Sequence, residues 1–360
     1  MKIKLIYPRV FVRIFLVLCF CKCSVIVFSQ DTHFSQSFNS PLSLNPALTG
    51  AFDGGLRMLS SYRDQWRSIT IPFRTYAFSS DIKMFKKLQK NGYLGVGISF
   101  ISDKAGTSQL SSNIVNFSIA FHEQISLSNV LSAGIQGGII QKSIDLTKSK
   151  WDNQYNGNAY DPTLPSFENQ YLQSVVRSDF SAGIQWTYSK GELYAVAKNQ
   201  LNINAGFALF HLTQPNISFN KTLTDRLPIK MVFHCNSQIG LGNSKVAILP
   251  MFIYTQQGTL KNALAGSMFR FILNEKTNDA GFVNGAALSC GALYRVDDAI
   301  IPMLQLEFAN YAIGFSYDIN NSDLKCASFG KGGYEISLRF LNPNPFSGKP
   351  ITSKTPRYFN

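Results

Sequence analysis

The side chains best suited to catalysis are four histidines scattered along the chain: His33, His122, His211 and His234. No serine or aspartate lies at a spacing from them that identifies a Ser-His-Asp catalytic group. The glycine-rich stretches GVGISF (95–100) and GGII (137–140) lack the Lys-Ser/Thr pair and the following helix of a phosphate-binding loop. The sequence therefore predicts a protein that is not an enzyme and binds no cofactor.

Metal binding is the second chemistry that the residue types suggest. Asp145, Asp152 and Asp161 share one polar stretch, and calcium prefers oxygen ligands. The stretch lacks the Asp-x-Asp-x-Asp spacing and the closing glutamate of a calcium loop, so no metal site is predicted. The cysteines beyond the N-terminal region are too far apart for a disulfide framework or a zinc site and are interpreted as small apolar residues: Cys235, Cys290 and Cys326.

The first 29 residues have the order of a secretory signal peptide. Basic residues precede an apolar run at 14–20, and small or apolar residues at 27–29 offer a cleavage site. The run is shorter than the about 20 residues of a transmembrane helix. Lipid attachment at Cys19, Cys21 or Cys23 is the alternative, but the small residue that such a cysteine needs before it is missing. We expect export and cleavage near Ser29.

The formal net charge of +13 is spread along the chain. No compact basic arm or patch is present, so nucleic acid is not an expected partner. Aromatic residues make up 13% of the sequence and charged residues only 15%. No stretch after residue 30 is apolar over the about 18 residues that a membrane-spanning helix requires.

After residue 54 the apolar residues alternate with small or polar ones. In YLGVGISFIS (93–102) the apolar residues share one face of a strand, and Gly95, Gly97 and Ser99 share the other. A soluble β-sandwich alternates in the same way, but its strands average about five or six residues, whereas many runs here reach the about 9–11 residues that cross a bilayer. A face rich in Gly, Ser, Asn and Gln is typical of a polar barrel interior. Tyrosines near the ends of the runs are interpreted as interfacial aromatic girdles: Tyr62, Tyr76, Tyr93, Tyr188, Tyr254, Tyr294 and Tyr317.

The pattern predicts an all-β fold, a transmembrane antiparallel β-barrel over residues 55–340. We count fourteen strands, with ELYAVAK (192–198) as an alternative extra strand. With the N-terminus on the periplasmic side of the membrane, the longest connection, 143–177, faces out of the cell, and residues 341–360 form a periplasmic tail. The predicted strands lie near 55–63, 72–82, 93–102, 113–122, 130–142, 178–188, 203–213, 228–241, 245–255, 262–273, 282–294, 299–308, 311–319 and 332–340.

Residues 30–54 precede the first strand and contain Asn45-Pro46-Ala47. Pro46 fixes a turn, and the Asn45 side chain can bond its own backbone. We interpret this stretch as a plug-like segment in or beneath the barrel, with a disordered leader as the alternative. The three residues also resemble part of the N-terminal hatch of fatty-acid transporter barrels.

Segments along the whole chain resemble the PorP/SprF family of type IX secretion membrane proteins. The sequence departs from the family pattern within SFNSPLSLNPALTG (37–50) and keeps one histidine in FALFHLTQPN (207–216). The matching segments are DTHFSQSFNSPLSLNPALTG (31–50), YRDQW (62–66) with PFRTYAFSSD (72–81), GVGISFISDKAG (95–106), GIQGGIIQKSIDLTKSKWDNQY (134–155), SDFSAGIQW (178–186), HLTQPNISF (211–219), YRVDDAIIP (294–302), FSYDINNSDL (315–324) and GGYEISL (332–338).

The resemblance implies an outer-membrane component of type IX secretion and gliding. Its partners would be other secretion components, outer-membrane lipid and large surface adhesins with a C-terminal sorting domain, which it would help to export or anchor. The alternative is a channel or transporter for small or hydrophobic solutes, with residues 30–54 as its hatch.

Two surfaces are candidate partner contacts. One is the long connection, in which aromatic residues stand beside polar ones: Trp151, Asp152, Gln154, Tyr155 and Asp161. The other is a predicted strand end with Arg63, Gln65 and Trp66, for which an interfacial aromatic and a lumen or headgroup charge are the alternative interpretation. The last predicted strand carries a separate signal for barrel assembly through Tyr334, Leu338 and Phe340.

Overall fold

The computed structural model describes residues 31–69, 71–89, 92–106, 108–145, 150–167, 172–190, 201–220, 222–242, 244–276, 284–322 and 325–342. Fourteen antiparallel strands form one closed barrel in which each strand pairs with its neighbours in sequence and β1 pairs with β14. The strands are β1 Leu56–Gln65, β2 Phe73–Gln89, β3 Gly92–Ala105, β4 Leu110–Gln124, β5 Asn129–Ser143, β6 Ser174–Lys190, β7 Leu201–Phe210, β8 Lys230–Gly240, β9 Val246–Gln257, β10 Leu260–Lys276, β11 Asn284–Arg295, β12 Ala299–Phe308, β13 Tyr311–Asn320 and β14 Lys331–Asn342.

The predicted barrel and its fourteen strands are confirmed. Each predicted strand overlaps one observed strand, although β2 and β6 are longer than the alternating pattern indicated. The predicted end of the barrel at residue 340 is too early, since Leu341 and Asn342 still pair with Arg57 and Leu56. The alternative strand at 192–198, the signal peptide and most of the predicted tail lie outside the described residues.

Alternation along the strands gives the barrel two faces. The apolar side chains that face outward are exposed, as Phe117, Ile135 and Ile184 are. Tyr62, Tyr76 and Tyr334 belong to this outer face. The centroid of the Tyr62 ring lies 5.0 Å from that of Tyr76 and 6.0 Å from that of Tyr334. Tyr93 was wrongly assigned to a girdle, because its odd position on β3 places it inside with Gly95, where it stacks on His122. Among the described residues, no helix is long and apolar enough to cross a membrane.

The two ends of the barrel differ. β1 starts and β14 ends at what we call the short-turn end, together with connections such as 125–128 and 241–245. The opposite end, the long-loop end, carries the longer connections 144–173, 211–229 and 321–330. It also has tight turns, such as the one after β9, where Gly258 takes a φ of +58° that a residue with a side chain rarely adopts.

Residues 34–52, which we call the luminal segment, lie inside the barrel. Three short helical turns shape it: Ser37–Asn39, Pro41–Leu44 and Pro46–Leu48. Proline occupies the first position of the second and third turns, where its missing N–H costs no hydrogen bond. The turns keep the segment compact, and most of its side chains are buried against inward-facing strand residues.

Candidate functional site

Near the long-loop end, the luminal segment is held by a buried charged network. Glu335 of β14 accepts hydrogen bonds from the backbone N–H groups of Ser35 (2.7 Å) and Gln36 (3.1 Å). Asp318 of β13 accepts a hydrogen bond from the Ser35 hydroxyl at 2.7 Å. The same carboxylate pairs with Arg63 of β1 at 2.9 Å and with Arg295 of β11 at 3.1 Å. Four strands and the segment therefore share one set of charges.

Amide side chains fix the next residues of the segment to β13 and β14. The Gln36 amide donates to the Ser316 hydroxyl at 3.1 Å and to the Glu335 carbonyl at 2.9 Å. Asn39 donates to the Ser337 hydroxyl at 2.8 Å. These bonds satisfy polar groups that would otherwise be buried without partners, which typically costs about 1–3 kcal/mol each.

Asn45 occupies the middle of the lumen and is fully buried. Its side-chain oxygen accepts from the Ala47 N–H at 2.9 Å and so begins the turn at Pro46. Its side-chain nitrogen donates to the Ile184 carbonyl of β6 at 2.9 Å and lies 3.1 Å from His234 Nε2 of β8. The predicted local bond of Asn45 is therefore present, and the side chain also contacts two strands that sequence reasoning did not identify.

Close to the short-turn end, the segment passes between β1, β2 and β4. The Gly50 N–H donates to Asp81 at 2.7 Å, and Asp81 pairs with Arg57 at 2.7 Å. Arg57 also donates to the Leu48 carbonyl at 3.0 Å. His122 lies with Nε2 2.7 Å from the Thr49 carbonyl and Nδ1 2.6 Å from the Ser132 hydroxyl. His122 thus anchors the segment and has no exposed surface.

The lumen has two walls. The polar wall, on β1–β6 with β13 and β14, carries most of the partners described above; His234 of β8 and Arg295 of β11 lie outside it. The apolar wall, on β7–β12, is a cluster of buried side chains against which Leu44, Phe38 and Leu48 of the segment pack. Its members are Ala208, Phe210, Val232, Leu249, Met251, Ile253, Leu264, Met268, Leu293, Ala299, Ile301 and Met303. A polar interior was predicted for the whole barrel, but on β7–β12 the buried polar residues, such as Asn204, Gln238 and Ser289, lie beside this apolar cluster.

The long-loop end also covers part of the lumen. Ile217 and Leu227 of the connection 211–229 pack against Ile140, which faces inward on β5. At the start of this connection, His211 Nδ1 lies 2.9 Å from Asp179 of β6. Sequence reasoning missed this pair, because the two residues come together only through the pairing of β6 with β7. Among the described residues, no group of three or more His, Cys, Asp or Glu side chains could hold a metal ion.

The candidate partner residues of the long connection form an ordered turn. Gln154 is buried, and its side chain donates to the Leu164 carbonyl at 3.1 Å, so it supports the loop from within. The backbone of Tyr155 forms an isolated antiparallel β-bridge with that of Tyr160, and Tyr155 is 58% exposed. Asp152 is exposed and Trp151 is half-buried. Of these candidate residues, Gln154 therefore supports the loop from within, whereas Tyr155 and Asp152 lie on its surface.

Asp161 closes the same turn. Its carboxylate accepts hydrogen bonds from the Thr163 hydroxyl at 2.6 Å and the Thr163 N–H at 2.9 Å. These bonds favour the ionised form and lower the pKa of Asp161 below its usual value. The carboxylate thus stabilises the loop locally, in addition to any contact that it makes with a partner.

The residues of the second candidate surface do not form one exposed patch. Arg63 does not lie at the rim, because its odd position on β1 turns it into the lumen, where its side chain is 2% exposed against Asp318. Gln65 and Trp66 are half-buried at the end of the strand, and the Trp66 ring packs edge-on against Phe73 at 4.8 Å. The alternative interpretation of Arg63 as a lumen charge matches its observed position.

The residues of the proposed assembly signal lie on the outer face of β14. Tyr334 and Leu338 alternate with the inward-facing Glu335 and Ser337. Phe340 lies near the short-turn end, and its ring packs against Tyr311 of β13 at 5.0 Å.

A closed barrel of antiparallel strands, apolar outside and filled inside by its own N-terminal segment, defines the chain as an outer-membrane β-barrel protein. The family model described as type IX secretion system membrane protein PorP/SprF matches residues 26–340. The chain belongs to this family, and the resemblance seen in its sequence segments is confirmed.

Solved structures share the architecture at low sequence identity. BamA from Haemophilus ducreyi lacking POTRA domains 1–3 is 9% identical, with a TM-score of 0.41 over 80% of this chain and 70% of that one. The translocator domain of the autotransporter NalP from Neisseria meningitidis is 8% identical, with a TM-score of 0.38 over 85% and 95% of the two chains. A mutant of the monoaromatic hydrocarbon channel TodX is 12% identical, with a TM-score of 0.44 over 84% and 93%. The search of curated proteins returned no match.

Proposed function

We propose that this protein is a non-enzymatic component of type IX secretion that supports the export or surface anchoring of large adhesins with a C-terminal sorting domain. Membership of the PorP/SprF family is the observation that carries the proposal. The protein reaches the outer membrane after a signal peptide is removed near Ser29, and its long-loop end faces out of the cell.

The contacts of the luminal segment favour a scaffold over an open conduit. Bonds from Gln36, Asn45 and Gly50 join the segment to strands around the polar wall, while Leu44 packs on the apolar wall. A secreted chain passing through this lumen would have to displace all of these contacts. We therefore assign partner binding to the outside of the barrel and plugging of the lumen to residues 34–52.

The loop 150–167 is the best docking surface for the adhesin or another secretion component. Tyr155, Tyr160 and Phe167 are exposed in it by 58, 38 and 70%. Exposed aromatic side chains on a rigid support are favoured at protein interfaces, because they bury a large area at low entropic cost. Gln154 and Asp161 supply that support from within the loop.

Replacing residues 150–167 by a short Gly-Ser bridge tests the assignment. No strand residue is removed, so we expect normal amounts of heat-modifiable barrel in the outer membrane and loss of the adhesin from the cell surface. The matched control replaces the turn 241–245, at the opposite end, by Gly-Ser and should leave surface adhesin unchanged. Normal adhesin display in the loop variant would contradict the docking role.

A channel or transporter for small or hydrophobic solutes is the second candidate. The apolar wall favours this function, since Leu249, Met251 and Met303 form a surface that a hydrophobic solute can contact. Ion conductance or solute uptake in liposomes separates the two functions, because a plugged scaffold should give neither.

A further inference from the structure

A cavity of about 70 Å³ lies between the luminal segment and the apolar wall. Leu44 and Phe38 of the segment line one side, and Leu249, Met251, Met268 and Met303 line the other. A single water molecule needs about 10–15 Å³ of such space, so the cavity has room for several waters or for a slender apolar chain. Apolar residues line one part of the cavity and polar ones, including Asn204, Asn236 and Gln305, line another, so its lining suits a molecule with an apolar and a polar part.

Arg339 of β14 lines this cavity, and its contacts among the described residues include no close hydrogen bond. Its side chain is 9% exposed, and within the described part of the chain its guanidinium forms one ion-pair contact, with Glu307 at 3.8 Å. That separation is too long for a hydrogen bond. Ser289 of β11 lines the same cavity, and its fully buried hydroxyl has no partner among the described residues. Two buried hydrogen-bonding groups of different strands therefore face one unfilled space.

Among the described residues, three arginines at the cavity or next to it share two carboxylates. Glu307 already binds Arg270 at 2.6 Å, so a single carboxylate serves two guanidinium groups. The other arginine of the lining, Arg57, is matched by Asp81 at 2.7 Å. A buried guanidinium that shares its counter-ion is costly, and an additional oxyanion near Arg339 would remove that cost.

We propose that the cavity binds a small amphiphilic anion, a carboxylate on a single short apolar chain. Arg339 donates to the carboxylate, since the guanidinium fork matches the two oxygens of an oxyanion, and the Ser289 hydroxyl donates a further bond. The chain lies against Leu249, Met251 and Met268, where flexible methionines adapt to its shape. The cavity accommodates one chain and not two, which selects against a diacyl phospholipid. This binding goes beyond the proposed secretion function and does not depend on it.

Native mass spectrometry of the whole barrel, released from a maltoside detergent, tests the proposal with octanoate, octanol, octyl phosphate and inorganic phosphate as probes. We expect the wild-type barrel to bind one octanoate and to bind octanol and inorganic phosphate much more weakly. Arg339→Gln should weaken octanoate binding about tenfold or more, as expected for loss of a buried charge-assisted bond. Arg74→Gln, the same charge change on the outer face, should leave it unchanged.

Three outcomes overturn the proposal. One is equal binding of octanoate by the wild type and Arg339→Gln, and another is binding of inorganic phosphate as tight as that of octanoate. The third is an affinity for octyl phosphate more than tenfold higher than that for octanoate, which would assign the site to a phosphate monoester. If Arg339→Gln gives no heat-modifiable barrel, Ser289→Val replaces it, because it removes the second donor and fills part of the cavity; unchanged octanoate binding in that variant rejects the site.

Discussion

The polar and apolar walls of the lumen hold the same segment by different physics. On the polar wall the charged contacts are directional: Asp318, Glu335 and Asp81 each accept bonds from defined donors of the segment or of neighbouring strands. Apolar contacts are fewer there, such as that of Phe34 with Ala77 and Ile101. On the apolar wall Leu44 meets a surface of aliphatic and thioether groups that has no preferred direction. The polar wall therefore sets the position of residues 34–52, and the apolar wall tolerates small movements.

The same difference explains where the unfilled space lies. Directional bonds hold the segment against β1–β6, β13 and β14, and most of the strand residues that line the cavity belong to β7–β12. Close packing of protein interiors makes a void costly, since its lining loses dispersion contacts. Because the luminal segment is hydrogen-bonded on one side and loosely packed on the other, we expect it to stay in the lumen while the cavity binds a small ligand.

The largest effect is expected from breaking the charged network of the polar wall. Asp318→Asn leaves Arg63 and Arg295 buried beside a neutral group, and removing one partner of a buried ion pair costs about 3–5 kcal/mol. The free energy of unfolding of the refolded barrel in denaturant should fall by this amount. Asp298→Asn is the matched control, because Asp298 contacts the same Arg295 at 2.9 Å but is 40% exposed, so we expect a loss of about 1 kcal/mol or less. Equal losses in both variants would mean that the network does not hold the segment.

A smaller effect is expected from crowding the polar wall where it has no side chain. A Cβ on Gly134 would lie within 2.6 Å of the Pro46 carbonyl and the Ala47 N–H, closer than real contacts allow. Gly134→Ala should push the segment inward and destabilise the barrel by about 1–3 kcal/mol, the usual cost of overpacking. Single-channel recording should detect openings that the wild type lacks. In the control Gly137→Ala the three atoms nearest the new carbon all belong to the Phe180 ring on the outer face, the closest at 3.0 Å, so no channel openings are expected. Openings in both variants would argue against displacement of the segment.

The fold was predictable because the period of two is repeated in nearly every strand and fixes which face is outside. The inward position of Arg63 was predictable from the same rule, since it alternates with Tyr62 and Asp64 along β1. The network around it was not, because Ser35 and Glu335 are 300 positions apart and only closure of β14 on β1 brings them together.

The apolar wall was missed for a different reason. In VAILPMFIYTQQ, strand β9, both faces are apolar over the first eight residues, so alternation between apolar and polar is absent there. Such a run is typical of a strand buried on both sides. Leu249 and Met251 could have been assigned to an apolar lumen on that signal, but the cavity beside them depends on the position of the luminal segment.

The smallest effect is expected on the apolar wall. Met303→Leu keeps the volume and the character of a cavity-lining side chain, and such swaps usually cost less than about 1.5 kcal/mol. The neighbouring cavity gives the branched side chain room to settle, so we expect a change in the free energy of unfolding at the lower end of that range. Asn39→Leu introduces the same residue on the segment, but removes the bonds from Asn39 to Gln36 (3.0 Å) and Ser337 (2.8 Å) and should cost about 1–3 kcal/mol. Denaturant unfolding of both variants measures the difference. If Met303→Leu proves the more damaging, the apolar wall is as shape-specific as the polar wall, and the segment is positioned by packing as much as by hydrogen bonds.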